Sequence, residues 1–252
     1  WLPDGAGRDL YLVGGAWRAL ARVHMQAVGY PLSIVHHYTL DQADARELAA
    51  SLLMPLRRSG ERIAGAPRRR TEDLPFAATV LRHLLRRTGA RRVVFSANGI
   101  REGWFMQHVP ASVRMLDPVL AAGHEIAAQY GRDTRLPPAL VAWTAPLFPG
   151  ESAAAARLRE AACWMSDVGS HDHPDYRAEQ AFLRILRQPG IALAHPDRAA
   201  LALTMALRYE AEPDAPFLHP ARSLLDPAAA AQAEVLGTAL RLAYTLSAGT
   251  PA

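Results

Sequence analysis

The 252-residue chain contains no lysine, so all 28 of its basic side chains are arginine. It has one cysteine, Cys163, which excludes an internal disulfide and a cysteine-based metal cluster. A lone thiol fits a reducing setting, and the expected location is the cytoplasm. No apolar run approaches the roughly 18 residues that a membrane-spanning helix needs, and no secretory leader is visible. The chain begins at Trp1, so its true N-terminus is expected upstream. Neither a P-loop nor a dinucleotide-binding glycine fingerprint occurs. Half of the residues are apolar, a globular composition and not a disordered one. The net charge of +4 raises nucleic acid as a partner. Against that, the pairs Arg57-Arg58, Arg86-Arg87 and Arg91-Arg92 flank predicted helices and a strand as solvated faces, and no aromatic stacking platforms interleave with them. A polyanionic ligand would still be served by this charge.

The stretch that organises the chain is Arg91 to Gln107, RRVVFSANGIREGWFMQ. Val93, Val94 and Phe95 form a short apolar run of β-branched and aromatic residues, which predicts a buried strand. Ser96, Ala97, Asn98 and Gly99 are small and turn-prone, with Gly99 free to take a positive φ. Arg101 and Glu102 then stand at the start of a helix carrying Trp104, Phe105 and Met106. A strand that ends in small residues and opens into a helix N-terminus is where α/β sheets bind anions.

A second unit of the same kind opens the chain. Asp9 to Gly15, DLYLVGG, predicts a strand ending in a glycine pair, and Ala16 to Ala27 follows at helical spacing. Backbone amides at such a turn can face a phosphate. Ser33 to Leu40 alternates as a strand would. His36 and His37 within it are expected on opposite faces and in structural roles. Asp41 should cap a helix that runs to Met54 before Pro55 stops it. A loop with three consecutive arginines precedes a helix over Leu74 to Thr88, which Gly89 ends.

Near Met115 to Val119 the character changes. Helical patterns run over 119–130, 137–148, 151–166, 176–187, 196–209 and 228–248, and no strand is expected beyond this point. His171-Asp172 has the look of a metal-binding dyad, with Asp167, His173 and Asp175 nearby. A dispersed ligand set is what such a site requires, so no metal is expected here; Asp167 reads as a helix end and His195 as a helix start.

Six stretches also resemble one family, the exopolyphosphatase/guanosine pentaphosphate phosphohydrolase (Ppx/GppA) group. Ser96, Gly99, Ile100, Arg101, Glu102 and Gly103 resemble its S-x-x-G-[LIV]-R-E-G segment. Gly14, Gly15 and the residues after them resemble its GGTWRALA stretch, with Ala16 in place of the usual threonine. RRRTEDLP, residues 68–75, partly resembles its R-x-D-x-x-x-P-G segment, with Arg69 on the arginine, Thr71 on the acidic position and Phe76 on the glycine. CWMSDVGSHDHPDYRAEQAF, AHPDRAALAL and LGTALRLAYTLSA resemble its helical C-terminal domain, a distant relative of the HD phosphohydrolases.

The resemblance implies α/β plus all-α architecture: residues 1–115 as the latter part of a second actin-like, ribonuclease H-like domain, and 116–252 as a helical HD-like domain. It implies release of orthophosphate from the end of inorganic polyphosphate, or conversion of pppGpp to ppGpp, with Mg²⁺ in the complete enzyme. The ligand-binding residues would be Gly14, Gly15, Arg69, Ser96, Gly99 and Arg101. Glu102 would support the site by holding Arg101 or a backbone amide. The family's D-x-G-G-G-S phosphate loop and catalytic glutamate have no counterpart in this sequence, so the chain is expected to be the latter half of such a protein and to be inactive alone. Polyphosphate or guanosine pentaphosphate is the expected partner, with a homodimer admitted, and neither a specific nucleic acid nor a membrane. Two rivals stand beside this reading: a non-catalytic sensor of phosphorylated nucleotides, and an HD-type metallohydrolase built on His171 and Asp172.

Overall fold

The computed structural model describes residues 5–53, 63–66, 71–189 and 191–250. They fall into two compact units, Trp1–Pro110 and Ala111–Ala252. The structure is mostly helical, with one small sheet.

The first unit contains β1 (Asp9–Val13), α1 (Gly15–Ala27), β2 (Tyr38–Asp41), α2 (Gln42–Leu53), α3 (Leu74–Thr88), β3 (Arg92–Ser96) and α4 (Ile100–His108). The sheet order is β1-β3-β2. β1 runs parallel to β3, with Leu12 opposite Phe95 and Val13 opposite Ser96, and β2 runs antiparallel to it. Strand alternation sends Leu12, Tyr38, Leu40, Val93 and Phe95 to one face. There they share a core with Leu20 of α1, Leu48 of α2, and Leu81 and Leu85 of α3. These three helices therefore cover the same face. On the other face of the edge strand β1, Tyr11 is 56 % exposed and Val13 49 %. An open strand edge is a template for pairing with another chain.

Local chemistry sets the ends of these elements. The Asp41 carboxylate accepts the Asp44 amide at 2.8 Å and caps α2. Gly89 takes the left-handed conformation, φ 62°, that closes α3. One expectation fails: the second strand begins at Tyr38, not Ser33. Residues 36 and 37 form a turn, and His37 has φ 60°. The alternation that would separate His36 from His37 therefore does not operate, and their rings meet edge to face with centroids 4.7 Å apart. The expected stop at Pro55 and the three-arginine loop lie outside the described residues.

Across the sheet edge, Asp9 accepts bonds from Arg92 at 3.0 and 2.7 Å and from Arg91 at 3.0 Å. The Arg92 bond, helped by Arg91 and opposed by burial, holds the Asp9 carboxyl down to about 2. A depressed carboxyl stabilises the fold above its ordinary value near 3.8, and that stability is lost as pH falls through about 2. Asp9→Asn should cost about 0.5–1 kcal/mol at pH 7. Between pH 5 and pH 2 the parent should lose more stability than the variant, so that their urea-unfolding curves converge in acid.

The second unit contains α5 (Ala111–Arg114), α6 (Pro118–Tyr130), α7 (Leu136–Thr144), α8 (Ala153–Met165), α9 (Arg177–Leu186), α10 (His195–Arg208), α11 (His219–Arg222) and α12 (Pro227–Ser247), with 3₁₀ turns at Ala145–Leu147 and Pro216–Leu218. Among the described residues it has no strand. All six expected helical stretches are present, and five of their starts carry a side-chain cap or an early proline. Asp117, Ser152 and Asp226 cap α6, α8 and α12 through their side chains, and proline follows two of these three caps. His195 is the first residue of α10 and is buried.

Helix α10 is the axis of this unit. Leu201, Leu203, Met205 and Leu207 are buried around its whole circumference, as a central helix requires. It packs against α8, α9, α11 and α12. Arg198 on it is buried, and its guanidinium donates to the carbonyls of Leu186, Gln188 and Ile191, tying down the link from α9. Helix α12 approaches closely because Gly237 has no side chain: a Cβ there would sit 2.8 Å from both Leu207 Cβ and the Thr204 carbonyl oxygen. Gly237→Ala should therefore destabilise by about 1–3 kcal/mol through overpacking, although alanine is the better helix former. Thermal denaturation of the variant checks this. Among the described residues no helix is long and apolar enough to cross a membrane.

Candidate functional site

Because β1 and β3 are parallel neighbours in register, with Val13 opposite Ser96, the chain leaves both strands at the same end of the sheet. Each strand runs through a short turn into a helix: Gly14 precedes α1, and Ala97–Gly99 precede α4. The two turns are joined directly. Arg18 of α1 donates to the Ala97 carbonyl at 2.8 Å, and His36 Nδ1 accepts the Ala97 amide at 3.3 Å. Ser96 Oγ accepts the Asn98 amide at 3.1 Å, folding the turn back on the strand. Gly14, Gly15, Ser96, Gly99 and Arg101 are thus brought to one end of the sheet. Arg69 lies outside the described residues.

The glycines act differently from expectation. Gly99 is extended, φ −135° and ψ −165°, and does not use the positive φ open to it. Its lack of a side chain matters for space: a Cβ would stand 3.3 Å from Glu102 Oε2. The positive φ belongs to Gly14, at 136°, so strain opposes any side chain there.

Glu102 accepts the Gly99 amide, which is half of a capping box; Gly99 has no side chain to supply the other half. Its own backbone N–H and that of Gly99, aided by the charges of Arg101 and Arg18, hold its carboxyl below the usual range. The carboxylate is thus committed to the helix start and makes no close ion pair with Arg101. Arg101 is exposed, and none of α4 is buried. The first amides of α1 and α4 have no partner within their helices. Amides and one uncommitted guanidinium at two helix N-termini form a surface suited to an oxyanion.

Among the described residues no three His, Cys, Asp or Glu side chains gather as a metal site, and the carboxylate at the turns is capping a helix. Asp172 is held by Arg184, at 3.0 Å from Nη1, while His171 is exposed in a turn.

Asp167, read from sequence as a helix end, is the hub of a partly buried network. It accepts the Arg132 backbone amide at 2.9 Å and the Arg132 guanidinium at 3.0 Å through both oxygens. Arg208 lies 3.7 Å away and stacks over the rings of Tyr244 and Tyr209 at 3.7 and 4.2 Å. Burial lowers the Arg208 pKa and pushes Tyr244 up to about 12. Nothing in the sequence near Asp167 signals partners 35 and 41 residues away.

A small helix-backed sheet with two coupled strand–turn–helix units, followed by a wholly helical unit, defines a two-part α/β-plus-α protein. Residues 119–252 match the family described as exopolyphosphatase, C-terminal. The match spans more than half of the chain, and the chain belongs to that family. No curated protein matches it. The paired turns lie before the matched residues.

Proposed function

We propose that this chain is part of a phosphohydrolase that releases orthophosphate from the end of inorganic polyphosphate or from pppGpp, and that the two coupled turns form a wall of its phosphate-binding cleft. In this reading residues 1–115 are the latter part of an actin-like domain and 116–252 an HD-like helical domain. The observation that carries it is the pairing of two helix starts at one sheet end beside Arg101, in a chain of the exopolyphosphatase family. Arg101, and Arg69 by resemblance, would pair with phosphate oxygens through the guanidinium fork. In this reading Mg²⁺ accompanies the phosphates in the complete enzyme.

A second reading, binding without hydrolysis, is favoured by one feature: the carboxylate at the turns, Glu102, is engaged by backbone amides and is not free to activate water. The test is binding and phosphate release by the 252-residue chain with polyphosphate or pppGpp and Mg²⁺. Salt-sensitive binding without turnover is the expected outcome. Absence of binding rejects the proposed site, and turnover that survives re-purification shows that catalytic residues lie within the chain.

A further inference from the structure

The second unit contains a cavity of about 340 Å³ between α8, α10 and α12, within the size range of small-molecule sites. Its walls are apolar: Leu158, Ala200, Leu201, Leu225, Ala229 and Leu236. Four charged side chains also line it, Glu151, Arg159, Asp197 and Asp226. Three of these are already engaged. Arg159 donates to Glu151 at 2.6 and 2.9 Å, to the Val141 carbonyl at 2.9 Å and to Thr144 at 3.0 Å. Asp226 accepts the Ala229 amide at 2.8 Å as the cap of α12.

Asp197, in the first turn of α10, has no hydrogen bond or ion pair among the described residues. Arg157 acts on it only through space, its guanidinium being bonded to Asp117. Burial raises the Asp197 carboxyl pKa, as expected of a partly desolvated group that lacks a counter-charge. Three carboxylates to one neutralised guanidinium make this the acidic pocket of a basic chain, unsuited to the phosphates assigned to the first unit.

We propose that this cavity binds a small amphipathic cation, with an alkyl or arylalkyl body among the leucines and alanines and an ammonium group against Asp197. The lining offers both ends of such a molecule a partner: apolar residues of three helices, and one carboxylate without a hydrogen bond or ion pair among the described residues. A charge-assisted hydrogen bond to a partly buried carboxylate is the stronger kind, whereas a carboxylate ligand would meet like charge.

The experiment is an NMR titration of the 252-residue chain with hexylammonium, hexan-1-ol and hexanoate, which share a tail and differ in the head group. Hexylammonium should bind about tenfold or more tighter than hexan-1-ol, and hexanoate most weakly. Asp197→Asn should bring the ammonium to the level of the alcohol, with the melting temperature measured alongside. Ala229→Phe should fill the cavity and remove binding of all three. If Asp197→Asn fails to fold, the head-group series on the parent chain and Ala229→Phe decide the matter. Equal binding of ammonium and alcohol, no detectable ammonium binding, undiminished ammonium binding by a folded Asp197→Asn, or unchanged binding by Ala229→Phe would each overturn the proposal.

Discussion

Asp167→Ala should lower the unfolding free energy of the helical unit by about 3–5 kcal/mol, the usual cost of removing one partner from a buried ion pair. The side chain is 9 % exposed, as is that of Arg208, so the Arg208 charge left behind cannot turn to water, whereas Arg132, 45 % exposed, can. Arg132 loses a bidentate partner and the acceptor of its own backbone amide together. Asp167→Asn keeps an acceptor but no charge, and should fall between parent and alanine. A double variant separates this network from a simple cap. Arg208→Met added to Asp167→Ala removes the stranded cation, so the pair of changes should cost less than the sum of the two singles. Strict additivity, or a loss below about 1 kcal/mol of the kind a lost helix cap gives, would mean that Asp167 only ends α8. Urea unfolding followed by circular dichroism measures the parent and the four variants.

The same residue shows where sequence reading stops. The long helices of the second unit were legible because their signals are local: Asp117-Pro118 and Asp226-Pro227 start α6 and α12, and apolar spacing carries each helix onward. The glycine turn after β1 and the strand before Ser96 were legible for the same reason. The Asp167 network was not, because Arg132, Arg208 and Tyr244 reach it only after α6, α10 and α12 have packed. Alternation over residues 33–40 misled for a related reason. A two-residue period says nothing about the left-handed turn at His37, which bends the chain before Tyr38 can pair with Phe95. Both glycine turns were visible, but not that Gly99 would stay extended while Gly14 takes the positive φ, which depends on how each helix start is built. Of the candidate site, the residues at the two turns were legible, while their coupling through Arg18 and His36 to Ala97 was not, since it spans 79 and 61 residues of chain.

Arg101→Ala should weaken polyphosphate binding by roughly 10- to 150-fold, equivalent to the 1.5–3 kcal/mol of a charge-assisted hydrogen bond. Arg101 follows the Gly99 helix start, is exposed, and makes no ion pair among the described residues. Its guanidinium is therefore available to a ligand, beside first-turn amides whose dipoles also favour an anion. Arg101→Lys should recover only part of the affinity, since an ammonium is a point charge and cannot form the two-pronged contact that fits a phosphate. The parent should lose affinity as salt rises, and the alanine variant should lose less, having one fewer charge to screen. The opposing account is that Arg101 holds the turn in place by its attraction to Glu102. Glu102, however, already has the Gly99 amide, and an exposed arginine outside any network should change stability by no more than about 0.5 kcal/mol when removed. Melting temperature measured beside affinity separates the two accounts. Lost affinity at unchanged stability supports the ligand role, and lost stability with full affinity in the folded fraction makes Arg101 part of the scaffold.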